Sequence, residues 1–176
     1  MTISVDRAGL WDAEALADVA AVTFPLACPP HATKEDIAAF IDEVLSAEKF
    51  SEYLTDPTRT VLKATTGGEI VGYVMLVDGT PEDDDIRAAL SLLPTTEISK
   101  LYVLPDRHGS GVSAALMDAA VDHARGANCA GVWLGVNQEN ERAQRFYVKN
   151  GFEKVGTKTF RVGAQTHHDF VMQRSL

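Results

Sequence analysis

Cysteines, basic charge and long apolar runs are all scarce in this sequence, and each scarcity excludes a class of protein. Two of the 176 residues are cysteines, Cys28 and Cys129, and they lie far apart and outside any CxxC pair. This usage argues against a disulfide framework and predicts that the chain holds no metal. No apolar run is long enough to cross a bilayer, so we expect no membrane insertion.

The net charge is -9, and it is unevenly distributed along the chain. Residues 1–98 contain 18 acidic and 6 basic side chains, whereas residues 99–176 contain 7 acidic and 10 basic ones. We expect no binding to nucleic acid, because a phosphate backbone attracts basic surfaces. The asymmetry fits an anionic ligand on the C-terminal half and a cationic one on the N-terminal half. Solvated surface charge explains it equally well.

The order of the predicted elements indicates the fold class. The length suits one domain over residues 1–176, and the absence of a secretory signal at the N-terminus predicts a cytoplasmic protein. Apolar spacing predicts strands at 3–7, 60–64, 70–77, 95–103, 129–136, 152–160 and 169–173, and helices at 11–24, 33–45, 50–54, 111–125 and 140–150. This order is typical of an α/β or α+β protein with a mixed sheet.

Three local details follow from general rules. Pro25 is expected to end the first helix, because proline lacks the N–H that a helix interior needs. Gly126 is expected to follow the helix that begins at Gly111, as its capping residue. Alternation with period two places residues 97, 99 and 101 on one face of their strand.

The loop at residues 105–111 joins an apolar strand to a helix. The first N–H groups of a helix have no partner within it, and the helix dipole makes that end attractive to phosphate. Gly109 and Gly111 let a ligand approach the backbone closely. The loop is neither a Walker A sequence nor a Gly-x-Gly-x-x-Gly fingerprint. It favours a pyrophosphate group, although a glycine turn without any ligand has the same composition.

Two segments resemble the GCN5-related N-acetyltransferase (GNAT) family. The string LYVLPDRHGSGVSAALM is similar to its acetyl-CoA motif, in which Arg/Gln-x-x-Gly-x-Gly/Ala follows an apolar strand. His108 stands at the Arg/Gln position, Gly111 at the first Gly and Ser113 at the Gly/Ala, so two of these positions depart from the pattern. Further on, NQENERAQRFYVKNGF is similar to the segment Asn-x-x-Ala-x-x-Phe-Tyr-x-x-x-Gly-Phe of the family.

The resemblance implies a fold, a reaction and a cofactor. The fold is a central mixed, mostly antiparallel sheet flanked by helices. The reaction is direct transfer of an acetyl group from acetyl-CoA to a primary amine in a ternary complex. The residues that correspond to the cofactor-binding positions of the family are Tyr102, Val103, His108, Gly109, Ser110, Gly111, Val112, Ser113, Asn140 and Tyr147. The oxyanion would be bound by a main-chain N–H near Tyr102 or Val103.

The resemblance also assigns two catalytic roles. Tyr147 corresponds to the residue that protonates the leaving thiolate of CoA, and Glu97 to a carboxylate that removes a proton from the amine through water. Each has a simpler reading: Tyr147 as an aromatic core residue, and Glu97 as an ordinary exposed strand residue. Asn140 would contact the pantetheine arm, or serve as the N-cap of its helix, or do both.

The acceptor is the least constrained part of the prediction. The strand Trp133–Val136 and the C-terminal tail resemble the PaiA-type polyamine acetyltransferases, and the acidic N-terminal half favours a polycation such as spermidine. A protein N-terminus, a lysine, an aminoglycoside, or a non-catalytic acyl-CoA sensor stay open as alternatives. By analogy with the family, the chain could form a homodimer. His167 and His168 point to opposite faces of a strand, which makes them a poor metal chelate.

Overall fold

One sheet of seven strands organises the chain, and a computed structural model describes residues 2–176. The strands are β1 (Ser4–Arg7), β2 (Arg59–Thr66), β3 (Glu69–Asp78), β4 (Thr95–Val103), β5 (Gly131–Asn137), β6 (Glu153–Val162) and β7 (Gln165–Ser175). Their order in the sheet is β1-β2-β3-β4-β5-β7-β6. Every neighbouring pair is antiparallel except β4 and β5. The predicted mixed, mostly antiparallel sheet is thereby confirmed.

Helices cover both faces of this sheet. They are α1 (Ala13–Ala27), α2 (Lys34–Val44), α3 (Ala47–Thr55), α4 (Asp84–Ala89), α5 (Val112–Gly126) and α6 (Glu141–Lys149). On one face, called the α5 face below, α5 packs its buried Leu116 and Met117 against the sheet. On the other, the α1 face, α1 and α3 pack with Tyr73 and Met75 of β3. Within residues 2–176, no helix combines the length and the apolar character that a membrane span requires.

Two predicted helix ends were wrong. Pro25 lies inside α1, which continues to Ala27. Pro25 lacks only the N–H that would bond near the end of the helix, and the burial of Phe24 beside it outweighs that loss. Gly126 is the last residue of α5 rather than the residue beyond it. Asn128 instead adopts the left-handed backbone conformation, with φ 60°, because asparagine tolerates this conformation better than most residues.

A β-bulge at Ser99 overturns the predicted alternation in β4. Lys100 pairs with Met75 and Ile98 with Leu76, so Ser99 has no partner on β3. An unpaired residue shifts the alternation by one position. Ile98, Leu101 and Val103 therefore point to the α5 face. On the α1 face the bulge brings together Glu97, Lys100 and Tyr102.

The parallel strands β4 and β5 pair over only part of their length. Thr95–Glu97 lie beside Gly131–Trp133. Beyond these three pairs, β4 continues to pair with β3, and β5 continues to pair with β7. The sheet is therefore open between residues 98–103 and 134–137, and the loop that precedes α5 lies beyond the end of β4.

Candidate active site

The loop between β4 and α5 presents unpaired backbone donors. Gly109 and Gly111 have φ values of 81° and 91°, a conformation that favours glycine. The backbone N–H groups of Gly109, Gly111, Val112 and Ser113 find no acceptor in the described part of the chain. Gly109 and Gly111 are exposed, so their donors are open to solvent. A loop of this kind at the start of a 15-residue helix suits a phosphate or pyrophosphate.

The side chains of the loop support its shape. The His108 ring donates through Nε2 to the Val103 carbonyl at 3.1 Å, which connects the loop to the end of β4. The Ser110 hydroxyl donates to the Arg107 carbonyl. Val112 is buried on the α5 face and anchors the first turn of the helix. The predicted residues His108 to Ser113 therefore form the end of one loop and the start of α5, in which residues 108–111 are exposed and Val112 is buried.

Tyr147 lies on α6, next to the open part of the sheet. Its ring contacts the rings of Phe146 and Phe152 at centroid distances of 5.5 and 5.8 Å. Its hydroxyl makes no hydrogen bond to any residue from 2 to 176. Burial raises the pKa of Tyr147 to about 12. Tyr102 is a neighbour across the opening, and its pKa is raised by burial first and by Tyr147 second.

Asn140 is the N-cap of α6, as predicted. Its side-chain oxygen accepts a hydrogen bond from the Ala143 N–H at 3.2 Å, which leaves its amide nitrogen available for a ligand. A cavity of about 100 Å³ lies between the end of α1 and the turn before α6. Its lining includes Cys28, Asn137 and Asn140. The end of α1 thus borders the open part of the sheet from the α1 face.

Glu97 lies on β4 opposite Trp133 of β5, at the point where the two strands separate. It is half-buried. Burial raises its pKa, and the positive charges of Lys158, Lys100 and Arg59 oppose that rise. A carboxylate with a raised pKa is a better base than a free one. The environment of Glu97 is therefore favourable for a general base, and that role stays a prediction.

Sequence reasoning missed the charged residues that surround Glu97. Together with Glu97, they form what we call the charged cluster: Arg59, Glu97, Lys100, Lys158 and Asp169. Lys158 and Asp169 form an ion pair of 3.4 Å. The end of the Lys158 side chain lies against the backbone of Gly135, where a larger residue would displace it. A glycine inside a strand is a signal of such close approach, and Gly135 could have been read in that way.

The two adjacent histidines diverge, as predicted. His167 is buried on the α1 face, and its ring centroid lies 5.3 Å from that of His31. His168 is exposed. Nε2 of His167 is buried without a hydrogen-bond partner in the described chain. Across residues 2–176, no three His, Cys, Asp or Glu side chains converge in a way that could hold a metal ion. Cys28 and Cys129 are both free thiols.

A larger cavity lies away from these residues. It has a volume of about 490 Å³ and lies between α1 and the turn that joins β2 to β3. Asp12, Asp18 and Glu69 contribute acidic side chains to its lining. It contains none of the predicted site residues, so volume alone does not identify the site. The unpaired groups of the loop and of the strand opening mark the candidate site instead.

The comparisons with known proteins agree on one family. Residues 20–152 match the model of the acetyltransferase (GNAT) family. An uncharacterised N-acetyltransferase of Mycobacterium tuberculosis is 52% identical over 165 residues, which cover 94% of this chain and 98% of that protein. The PaiA N-acetyltransferase of Thermoplasma acidophilum, solved with coenzyme A, has a TM-score of 0.79 at 20% identity over all of both chains. A GCN5-related N-acetyltransferase of Rhodopseudomonas palustris has a TM-score of 0.78 at 21% identity, covering 100% of this chain and 97% of that one.

Proposed function

The chain belongs to the acetyltransferase (GNAT) family and is an acyltransferase, and from that premise we propose a specific reaction for it. Residues 1–176 form one domain that moves an acetyl group from acetyl-CoA to a primary amine. The transfer is direct, within a ternary complex. The observation that carries this proposal is the set of unpaired N–H groups of Gly109, Gly111, Val112 and Ser113, next to the opening between β4 and β5.

The donor site follows from the backbone. The N–H groups of the loop and the first turn of α5 suit the pyrophosphate of CoA. The open edges of β4 and β5 offer main-chain groups to the pantetheine arm, and the Asn140 amide nitrogen adds a donor on the far side. The structure of the PaiA relative contains coenzyme A, which supports a CoA site on this fold. Acetyl-CoA is a co-substrate here, and it supplies the activated acetyl group.

The reaction needs two proton transfers. The amine nitrogen attacks the thioester carbonyl, an N–C bond forms, and the C–S bond breaks. Glu97 accepts the proton that the amine loses, through water. The Tyr147 hydroxyl donates a hydrogen bond to the departing sulfur and supplies its proton as the C–S bond breaks. With a pKa of about 12, Tyr147 keeps that proton across the whole neutral range.

Cys28 is the thiol next to this site, and it argues for direct transfer. An acetyl-cysteine intermediate would need a thiolate, which is the nucleophilic form of cysteine. Burial raises the pKa of Cys28 to about 11, so the thiol stays protonated at neutral pH. Its Sγ also contacts the Phe24 carbonyl at 3.4 Å. Attack by the amine on acetyl-CoA itself is therefore the simpler route.

The acceptor is proposed from weaker observations. The acidic half of the chain and the fold likeness to a PaiA protein favour a polyamine. Many of the acids, such as Asp83, Asp84 and Asp85, lie exposed on the outer surface. A protein N-terminus, a lysine or an aminoglycoside stay as alternative acceptors, and a sensor without turnover as an alternative function. A cytoplasmic location remains a prediction from the N-terminal sequence, and a homodimer remains one from the family resemblance.

The test is release of CoA thiol from acetyl-CoA, followed with dithionitrobenzoate against a panel of amines. The panel contains spermidine, small monoamines, amino acids, a peptide and an aminoglycoside. We expect release that depends on an amine, and mass spectrometry should show one acetyl group on that amine. Tight binding of acetyl-CoA without release for any acceptor would indicate a sensor. Absence of binding would contradict the proposed donor site.

A further inference from the structure

Two charges in the charged cluster lack an ion-pair partner. Arg59 is paired with Asp56 at 3.4 Å, and Lys158 is paired with Asp169 at the same distance. Neither the Glu97 carboxylate nor the Lys100 ammonium has an opposite charge within 4 Å in the described part of the chain. The polar contact of Lys100 Nζ is the Ser99 hydroxyl oxygen at 3.4 Å. One acidic and one basic side chain on the same face of the sheet are therefore without an ion-pair partner in the described part of the chain.

Both unpaired groups are half-buried on β4, and their positions are fixed by the bulge at Ser99. Without the bulge, the side chains of residues 97 and 100 would point to opposite faces. Their α-carbons lie about 7 to 10 Å apart along the strand. Lys100 Nζ lies 5.9 Å from the centre of the Tyr53 ring, and the Arg59 guanidinium carbon lies 5.0 Å from the same ring centre. The pair thus lies on the α1 face of β4, with Lys100 close to Tyr53 of α3.

Partly buried charges without partners are costly unless a ligand supplies the missing charge. We infer that the acceptor carries a carboxylate beside its reactive amine, as an α-amino acid does, and that Lys100 binds this carboxylate while Glu97 faces the amine. The inference rests on the proposed function and names its substrate class. Lys100 is then a specificity-determining residue for the acceptor.

The charges around Lys100 agree with this assignment. Burial, Arg59 and Lys158 lower the pKa of Lys100 to about 8, and Glu97 opposes them. Burial is the largest of these effects, and Glu97 does not offset it, so the Lys100 ammonium could accept a further negative charge. A carboxylate would supply that charge, whereas a polyamine would bring a second ammonium into a region that already holds three basic side chains. An amino acid is consequently favoured over the polyamine that the overall acidity suggests.

The experiment compares amino acids with the amines that remain when their carboxylate is removed. The pairs are lysine with cadaverine and phenylalanine with phenethylamine, and spermidine is included as the competing acceptor. The values of kcat/KM come from thiol release by the full chain with saturating acetyl-CoA. The variants are Lys100→Met, the charge-retaining Lys100→Arg, and Lys34→Met as a matched control on the exposed start of α2. Equal affinity for acetyl-CoA and an unchanged circular dichroism spectrum show that a variant is folded.

We expect the wild type to favour the amino acid within a pair. Lys100→Met should lower the ratio of kcat/KM for amino acid over amine by about tenfold or more, mainly through KM, because it removes a charge-assisted hydrogen bond. Lys100→Arg should retain most of the ratio, and Lys34→Met all of it. A wild type that prefers the amines or spermidine, or a ratio that Lys100→Met leaves unchanged, would overturn the inference and leave the proposed function intact. If acetyl-CoA binds but no acceptor at all causes release, both fail.

Discussion

The two faces of β4 have opposite chemistry. Towards α5 the strand presents Ile98, Leu101 and Val103, which belong to or pack against an apolar core. Towards α1 and α3 it presents Glu97 and Lys100, which are half-buried and charged. Burial of apolar side chains stabilises the fold, whereas burial of unpaired charges opposes it. The α5 face of the strand is therefore suited to stabilise the fold, and the α1 face is suited to bind a ligand.

From this difference we infer that the acetyl donor and the acceptor bind on different faces of β4. On the α5 face, close packing fixes the loop at residues 105–111 and the start of α5, which we propose as the donor site. On the α1 face, the charged cluster lies near the point where β4 and β5 separate, and we propose it as the acceptor site. The opening between the strands connects the two. Each prediction below changes one side chain and measures the effect on activity, binding or stability.

Replacement of Tyr147 by phenylalanine should have the largest effect. Tyr147→Phe removes the proton donor, and loss of a general acid costs about 10²- to 10⁴-fold in kcat. Stability should hardly change, because the hydroxyl makes no hydrogen bond to residues 2–176. Thiol-release kinetics and thermal unfolding measure the two quantities. Release at the wild-type rate would remove Tyr147 from the mechanism.

Glu97→Gln should lower kcat by about 10- to 100-fold, since it removes the proposed base and keeps the size of the side chain. The pH profile carries more information. Burial raises the Glu97 pKa, and a base works only when deprotonated. Wild-type activity should thus rise with pH through a pKa above the ordinary carboxyl value, and the variant should lack this rise. An identical acidic limb in both proteins would show that another group controls it.

Gly111→Ala should weaken the donor site by a smaller factor. At φ 91° an alanine is strained, and the loop would move its N–H groups, so KM for acetyl-CoA should rise about tenfold. Gly79→Ala is the matched control, because Gly79 has φ 105° and open space around it. Both variants should lose about 1 to 2 kcal/mol of stability. Equal KM values for the two would contradict the role of the loop.

Cys28→Ser should change kcat less than about threefold if transfer is direct, because no acetyl-cysteine intermediate then forms. The variant keeps a small polar side chain near the Phe24 carbonyl. Rapid mixing with acetyl-CoA alone offers a second readout. A burst of thiol release without acceptor, lost in Cys28→Ser, would indicate a covalent intermediate instead.

Tyr73→Phe should have the smallest effect and a favourable sign. The Tyr73 ring is fully buried on the α1 face, and its hydroxyl has no hydrogen-bond partner in residues 2–176. Removal of an unsatisfied buried hydroxyl should raise the free energy of unfolding by about 1 kcal/mol. Urea unfolding measures this change. A loss of stability would mean that the hydroxyl is hydrogen-bonded in solution.

The donor side could largely be predicted from the sequence, because its parts are contiguous. The strand, the loop and the start of α5 follow one another within residues 101–113. The Asn140 cap and Tyr147 lie on one short helix. Local rules for glycine loops and helix caps act on neighbours in the chain, so they apply before the fold is known. The helix end at Pro25 was an exception, since packing against the core outweighed a local rule.

The acceptor side could not be predicted in this way. Arg59, Lys100, Lys158 and Asp169 come from four different strands. Only the order of the sheet brings the three basic residues near Glu97 and places Asp169 against Lys158. The bulge at Ser99 also reverses the alternation on which the sequence argument relied. A bulge leaves no distinct mark in a single sequence. The charged cluster is therefore a property of the fold, and its charges favour a different acceptor from the one that overall acidity suggests.

The most direct test of the account is a titration of the labelled protein with acetyl-CoA, followed by the backbone amide resonances in NMR spectra. Binding at the proposed donor site should shift the amides of Gly109, Gly111 and Val112 most strongly. Gly79 and Gly163, which also have positive φ, serve as internal references outside the proposed donor site and should hardly shift. Saturable shifts confined to the loop, the start of α5 and the open edges of β4 and β5 would support the account. Binding that leaves the loop amides unchanged would contradict it.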